Sequence, residues 1–130
     1  MTHSQIQRIA YAEDDPDIQF IAKMAMEASG FTVLACSSGR EALEKAEAFK
    51  PDLLLLDVMM PELDGPATLK AMRQMPALAN LPVIFMTAKV QSHEVEQYKD
   101  MKALGVISKP FDPMTLAEQI RRLWSAKHEI

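Results

Sequence analysis

Several short apolar runs in this sequence hand over directly to a residue capable of chemistry. Glu13 and Asp14 follow IAYA, Asp57 follows LLLL, Thr87 follows PVIFM and Lys109 follows VIS. Acids at the end of a buried apolar run are costly without partners. Two carboxylates about 4 Å apart, at an effective dielectric near 20, repel by roughly 4 kcal/mol, so a cluster of three or four requires cations. Lys109 can supply one positive charge and a hard divalent ion the rest. Mg²⁺ suits the set better than Ca²⁺: it takes one or two carboxylates, keeps several waters and bridges to phosphoryl oxygens, whereas Ca²⁺ seeks more oxygens. An acidic pocket with a metal, a lysine and a hydroxyl is suited to phosphoryl transfer, where catalysis is chiefly positioning and neutralising charge. Asp57 is then the nucleophile. A carboxylate can form an acyl phosphate, and the spontaneous hydrolysis of that bond gives a switch its reset.

Simpler roles compete for some of these residues. Asp15 and Asp17 are read as acids that favour the positive end of a helix dipole. Thr87 alone would be a turn cap, and Lys109 alone a surface lysine before a proline; both gain meaning from the acids placed by the same strand-end rule. His3, His93 and His128 are dispersed, with no ligand spacing and no companion cysteines, and are read as solvated side chains. Met59 and Met60 belong to a set of ten methionines that fill packing gaps.

The elements that must position the reactive residues follow from alternating patterns. Short apolar runs at Ile9 to Ala12, Phe31 to Ala35, Leu53 to Leu56, Pro82 to Met86 and Val106 to Ser108 alternate with longer amphipathic segments. This predicts the α/β class, a parallel sheet with helices on both faces. Asp15 as N-cap with Pro16 at the first helical position opens a helix whose apolar face is Ile18, Ile21, Ala22, Ala25 and Ala28, ended by Gly30. Ser38 with Glu41 three residues on is a capping box for a second helix with Ala42, Leu43, Ala46 and Phe49 inward, and Pro51 forces the exit. Asp64-Gly65-Pro66 opens a third helix presenting Leu69, Met72 and Met75, which stops before Pro76. A fourth, Ser92 to Met101, has a thin stripe of Val95, Tyr98 and Met101 and is expected to be mobile. The last starts with Asp112 as N-cap and Pro113 at the first helical position, and buries Leu116, Ile120 and Leu123.

A length of 130 residues bounds the chain to one domain able to bury its own core. With 48% hydrophobic and 25% charged residues, it falls among ordinary packed globular proteins. The net charge of −4, with scattered Lys and Arg, speaks against a nucleic-acid surface. The single cysteine, Cys36, cannot form an internal disulfide and sits in an apolar run, as a core residue would. No apolar run approaches the ~20 residues that cross a bilayer, and the start MTHSQIQ is unlike a signal peptide, so no membrane contact and a cytoplasmic location are expected.

Four motifs in order, AEDDPDI, PDLLLLDVMMPELDG, PVIFMTAK and SKPFDP, together resemble the receiver domain of two-component response regulators, over essentially the whole chain. The resemblance implies one doubly wound (βα)5 domain, flavodoxin-like, with a five-stranded parallel sheet of order 2-1-3-4-5. It would be a single receiver over residues 1–130, with its core at about 6–126 and no output domain. It further implies that Asp14 binds Mg²⁺ directly and Glu13 through water, and that Asp57 is both metal ligand and phosphoacceptor. Met59 would offer its backbone carbonyl to the metal, Thr87 would bond a phosphoryl oxygen and Lys109 would pair with the phosphate; the bond matching Lys109-Pro110 is often cis in relatives. The implied partners are proteins: a sensor histidine kinase or histidine phosphotransfer protein as phosphohistidine donor, and a downstream target docking on the fourth helix, fifth strand and fifth helix. The implied role is signalling rather than enzymatic turnover, the domain catalysing only its own phosphorylation and dephosphorylation. Many relatives carry Tyr or Phe three residues before the lysine, where this chain has Val106. Output is therefore expected from backbone shifts of the Thr87 loop and fourth helix rather than from a turning ring. Met59 and Lys89 would flank the phosphoryl group and tune the approach of water.

Two other readings are distinguishable. A receiver segment of a larger hybrid kinase, or a receiver signalling without phosphorylation, would share these residues; Met1 and the short tail after Trp124 favour an independent protein. A Mg²⁺-dependent phosphohydrolase with an aspartyl intermediate usually needs an acid/base carboxylate two residues beyond the nucleophile, where Met59 stands.

Overall fold

The computed structural model describes residues 6–88 and 92–128. Five strands alternate with five helices: β1 (Arg8–Ala12), α1 (Pro16–Ala28), β2 (Thr32–Cys36), α2 (Gly39–Phe49), β3 (Leu53–Asp57), α3 (Gly65–Met72), β4 (Val83–Thr87), α4 (Ser92–Asp100), β5 (Gly105–Ser108) and α5 (Leu116–His128). The strands pair in parallel in the order β2-β1-β3-β4-β5, as the resemblance implied. The order reverses between β1 and β3. In such sheets the crevice beyond the carboxyl ends of those strands is where ligands bind.

Because side chains alternate across a strand, each central strand feeds two cores. Ile9, Tyr11, Leu53 and Leu55 enter one core with Ala22 and Met26 of α1 and Leu116, Ile120 and Trp124 of α5. Ala10, Leu54, Leu56 and Phe85 enter the other, with Ala42 and Ala46 of α2, Leu69 and Met72 of α3, and Tyr98 of α4. Cys36 is buried and free, as its apolar setting required. The Phe85 and Tyr98 rings meet at 4.9 Å between centroids.

The helix starts obey the capping signals, with one exception. The Asp15 carboxylate accepts from the amides of Asp17 and Ile18, Ser38 Oγ from Glu41 N–H at 3.0 Å, and Asp64 Oδ1 from Ala67 N–H at 2.8 Å. The Glu41 carboxylate reaches back to the Ser37 amide rather than that of Ser38. The expectation that Asp112 and Pro113 begin the last helix is corrected, since α5 starts at Leu116. Asp112 caps a tight turn instead: its carboxylate accepts from Met114 N–H and its carbonyl from Thr115 N–H, and the i→i+4 pattern starts only at Gln119 N–H to Thr115 O.

The buried side of α1 also differs from the expected face. Ala22 and Met26 point to the core, whereas Ile21 is 46% exposed. The apolar arc of α1 is wider than the strip the sheet covers, and the helix turns so that the Ala22–Met26 pair fills it. Phe20, Met24 and, from the loop before α5, Met114 remain exposed as well. At its other end α3 closes at Met72, short of Met75, which is only partly buried.

Candidate functional site

Each strand-end residue is delivered by local structure. After β1, the Glu13 amide bonds Cys36 O at 3.0 Å, continuing the β1–β2 ladder one step. Gln19 of α1 donates to the carbonyls of Glu13 and Cys36, at 3.0 and 3.1 Å, and locks this turn to the helix. Asp57 is the last residue of β3 and is 2% exposed. Behind it, the Gly65 amide bonds Val58 O at 2.9 Å, and a Cβ on Gly65 would lie 2.5 Å from the Asp57 carbonyl oxygen. Only glycine lets α3 begin this close to the Asp57 backbone. Thr87 ends β4 and is buried; Met59 lies in the β3–α3 loop with its side chain exposed. Lys109 follows β5, its amide bonded to Thr87 O at 2.9 Å, and the Lys109-Pro110 bond is cis.

Three carboxylates converge at the switch point. Oxygens of Glu13, Asp14 and Asp57 lie within 4.8 Å of one another, with Glu13 and Asp57 buried and Asp14 exposed. Into this group Lys109 extends its ammonium, 2.9 Å from Glu13 Oε1 and 3.2 Å from Asp57 Oδ1. Glu13 Oε2 accepts the Asp15 amide at 3.0 Å. Residues 13, 57 and 109 come from strands β1, β3 and β5, so the assembled sheet alone brings them together.

One ammonium does not balance three acids. Burial, and next the charge of Glu13, push the Asp57 carboxyl up to about 6 even with Lys109 pulling the other way. For Lys109, burial alone would weaken the charged form, but the hydrogen bond to Glu13 and the charge of Asp57 outweigh it and raise its pKa above the ordinary lysine value. The arrangement is a strained carboxylate group with one fixed cation and space for charge on its exposed Asp14 side.

The structure thus gathers Glu13, Asp14, Asp57 and Lys109, and places Thr87 and Met59 on the adjoining strand end and loop. Val106 is half-buried on the α4 side of β5, opposite Phe85 in register. Lys89 lies outside the described residues, as do His3 and the side chains of His93 and His128. Sequence reasoning missed two features. The direct Glu13–Lys109 ion pair was not anticipated. Tyr11, read only as a strand residue, is 0% exposed, and among the described residues its hydroxyl is the buried side-chain polar atom with no hydrogen-bond partner. Burial, then Glu13, Asp57 and Asp15, oppose its ionisation. The available signal was a phenol two residues before Glu13, at a position of the same parity in an apolar run flanked by alanines.

The sequence matches the response regulator receiver domain over residues 9–121. The alkaline phosphatase synthesis transcriptional regulatory protein PhoP of Bacillus subtilis is 34% identical over 116 residues, 89% of this chain and 48% of that protein. Transcriptional regulatory protein CseB of Streptomyces coelicolor is 35% identical over 113 residues, 87% of this chain and 47% of its own. The chain spans about half the length of these curated relatives. Among solved structures, chemotaxis response regulator CheY4 of Vibrio cholerae superposes with TM-score 0.83 at 27% identity, covering 92% of this chain and 99% of that one. A Francisella response regulator 1452 receiver domain gives TM-score 0.81 at 26% identity over 93% and 98%. No helix among the described residues is long and apolar enough to cross a membrane. With the sheet order, the acid cluster and the motif match in agreement, the chain belongs to the receiver domains of two-component response regulators, which are signalling modules.

Proposed function

We propose that Asp57 accepts a phosphoryl group from a phosphohistidine on a sensor histidine kinase or histidine phosphotransfer protein, in a Mg²⁺-dependent reaction, and that the chain signals through phosphorylation-modulated protein binding. The observation that supports this most directly is the Lys109 ammonium spanning Glu13 and Asp57, beside the exposed Asp14 carboxylate. The donor set fits the ion: three carboxylates with oxygens within 4.8 Å form an all-oxygen group of the hardness and size Mg²⁺ takes. Asp14 and Asp57 would hold it directly, Glu13 through water, and Met59 by its backbone carbonyl. When bound, Mg²⁺ would neutralise charge on the transferring group.

Asp57 attacks phosphorus in line, the P–N bond to histidine breaks, and a P–O bond to the carboxylate forms. Lys109 follows the growing negative charge and pairs with a phosphoryl oxygen, while the Thr87 hydroxyl donates to another. Water later cleaves the acyl phosphate and restores Asp57. A phosphomonoesterase reading lacks its acid/base carboxylate, because Met59 occupies that place. Both curated relatives are named as transcriptional regulators, and the chain matches about half of each. We assign this domain a cytoplasmic role with protein partners and without nucleic-acid or membrane contact of its own.

The test is chemical. Incubation with Mg²⁺ and a small acyl-phosphate or phosphoramidate donor adds one phosphoryl group by intact mass spectrometry, and Asp57→Asn abolishes it. Absence of the adduct on the unaltered protein refutes the proposal.

A further inference from the structure

Glu13 is 1% exposed and has two partners, the Lys109 ammonium on one oxygen and the Asp15 amide on the other. A carboxylate offers about four acceptor positions, so two are left. Lys109 already divides its three N–H donors between Glu13 and Asp57, and a phosphoryl group on Asp57 adds charged acceptors that compete with Glu13 for it. As the ammonium turns toward new negative charge on Asp57, the buried Glu13 carboxylate loses the one cationic side chain paired with it among the described residues, a loss that a second donor at hand would offset.

Tyr11 is placed to be that donor. It lies on β1 two residues before Glu13, whose amide continues the β1–β2 ladder, so strand alternation puts both side chains on the same face of the sheet. Its ring is sealed into the core beneath the site, and its hydroxyl meets no partner among the described residues. Glu13 is the acid that bears on it most strongly, ahead of Asp57 and Asp15. Buried phenols without a partner are uncommon because the desolvated hydroxyl costs stability, and a phenylalanine would fill the same space without that cost. We infer that Tyr11 is a positioning residue whose hydroxyl donates to Glu13 when Lys109 is drawn to the phosphoryl group. The carboxylate then stays oriented through the phosphorylated state. The inference rests on the proposed function only in naming the phosphoryl group as what draws Lys109 away.

The test needs neither metal nor phosphate. Lys109→Met withdraws the ammonium permanently, and urea unfolding is followed in EDTA for the original protein, Tyr11→Phe, Lys109→Met and the double variant. With Lys109 in place, Tyr11→Phe leaves the unfolding constant unchanged or lowers it, because an unpartnered hydroxyl is removed. With Lys109→Met, the same change raises the unfolding constant by at least about tenfold, as expected for losing a hydrogen bond to a buried charge. The coupling disappears in Glu13→Ala, which removes the acceptor. If Lys109→Met does not unfold cooperatively, Lys109→Gln serves as the background. An equal effect of Tyr11→Phe with and without Lys109, or coupling that survives Glu13→Ala, overturns the inference. Either result leaves the phosphoacceptor assignment to its own mass-spectrometric test, and a failure there leaves this cycle readable.

Discussion

Replacing Asp57 by asparagine removes a charge that the fold holds against resistance, so the metal-free variant is expected to be more stable than the original protein. Burial and the neighbouring Glu13 move the Asp57 carboxyl from 3.8 to about 6. At about 1.4 kcal/mol per unit, the ionised form costs the fold up to about 3 kcal/mol at neutral pH, and relaxation around the site brings the expected gain to about 1–3 kcal/mol. The direction with pH follows from the raised folded value. Between the unfolded and folded values the native state binds more protons, so the penalty is absent below about pH 4, grows across that window and is complete above about 6. The asparagine variant lacks that titration. Urea unfolding in EDTA should therefore show its full advantage at about pH 7.5 and about a third of it at about pH 4.5. Excess Mg²⁺ should narrow the gap at neutral pH by stabilising only the protein that retains the carboxylate. An asparagine variant that is less stable in EDTA at neutral pH, or an advantage independent of pH, would refute the account of strained acids.

Gly65→Ala places a methyl group 2.5 Å from the Asp57 carbonyl oxygen and so should destabilise the protein by roughly 1–3 kcal/mol and slow phosphorylation by a small donor; unfolding and mass spectrometry both report it. Ser38→Ala removes the acceptor for Glu41 N–H and should cost about 1 kcal/mol in urea unfolding, with the phosphorylation rate unchanged. Chelation of Mg²⁺ should abolish adduct formation on Asp57, with full recovery on adding the ion back, in the same mass-spectrometric assay.

The strand ends were legible because an apolar run that stops at an acid, a threonine or a lysine marks both a buried strand and its exit. Leu53 to Leu56 before Asp57 has no other sensible reading in a chain of this composition. Helix starts were legible where a side chain caps its own next turn, as Asp15, Ser38 and Asp64 do. Asp112 carries the same signal but spends it on a turn, because a tight i→i+3 bond and the helical i→i+4 bond look alike over three residues. The Glu13–Lys109 pair joins residues far apart in the chain, and the strand-end rule puts them on one edge without saying which atoms meet. Rotation of α1 was equally hidden. Ile18, Ile21, Ala22 and Ala25 describe an apolar arc, and the width of the sheet beneath it, set by other strands, decides that Ile21 stays outside. The orphaned hydroxyl of Tyr11 depends on what surrounds the ring tip, which no local pattern encodes.

Lys109 is fastened at two points: its amide to the carbonyl of Thr87 and its ammonium to acids across the crevice. Behind it, β5 is four residues long and sits at the rim of the sheet with β4 as its single neighbour. A tug on the lysine tip therefore loads the β4–β5 seam first, because it is the ladder that holds this rim strand, while β1 and β3 are clasped from both sides. With a small branched side chain at Val106 and no ring there to swing, a displacement of Lys109 would reach the flank of the domain through that seam.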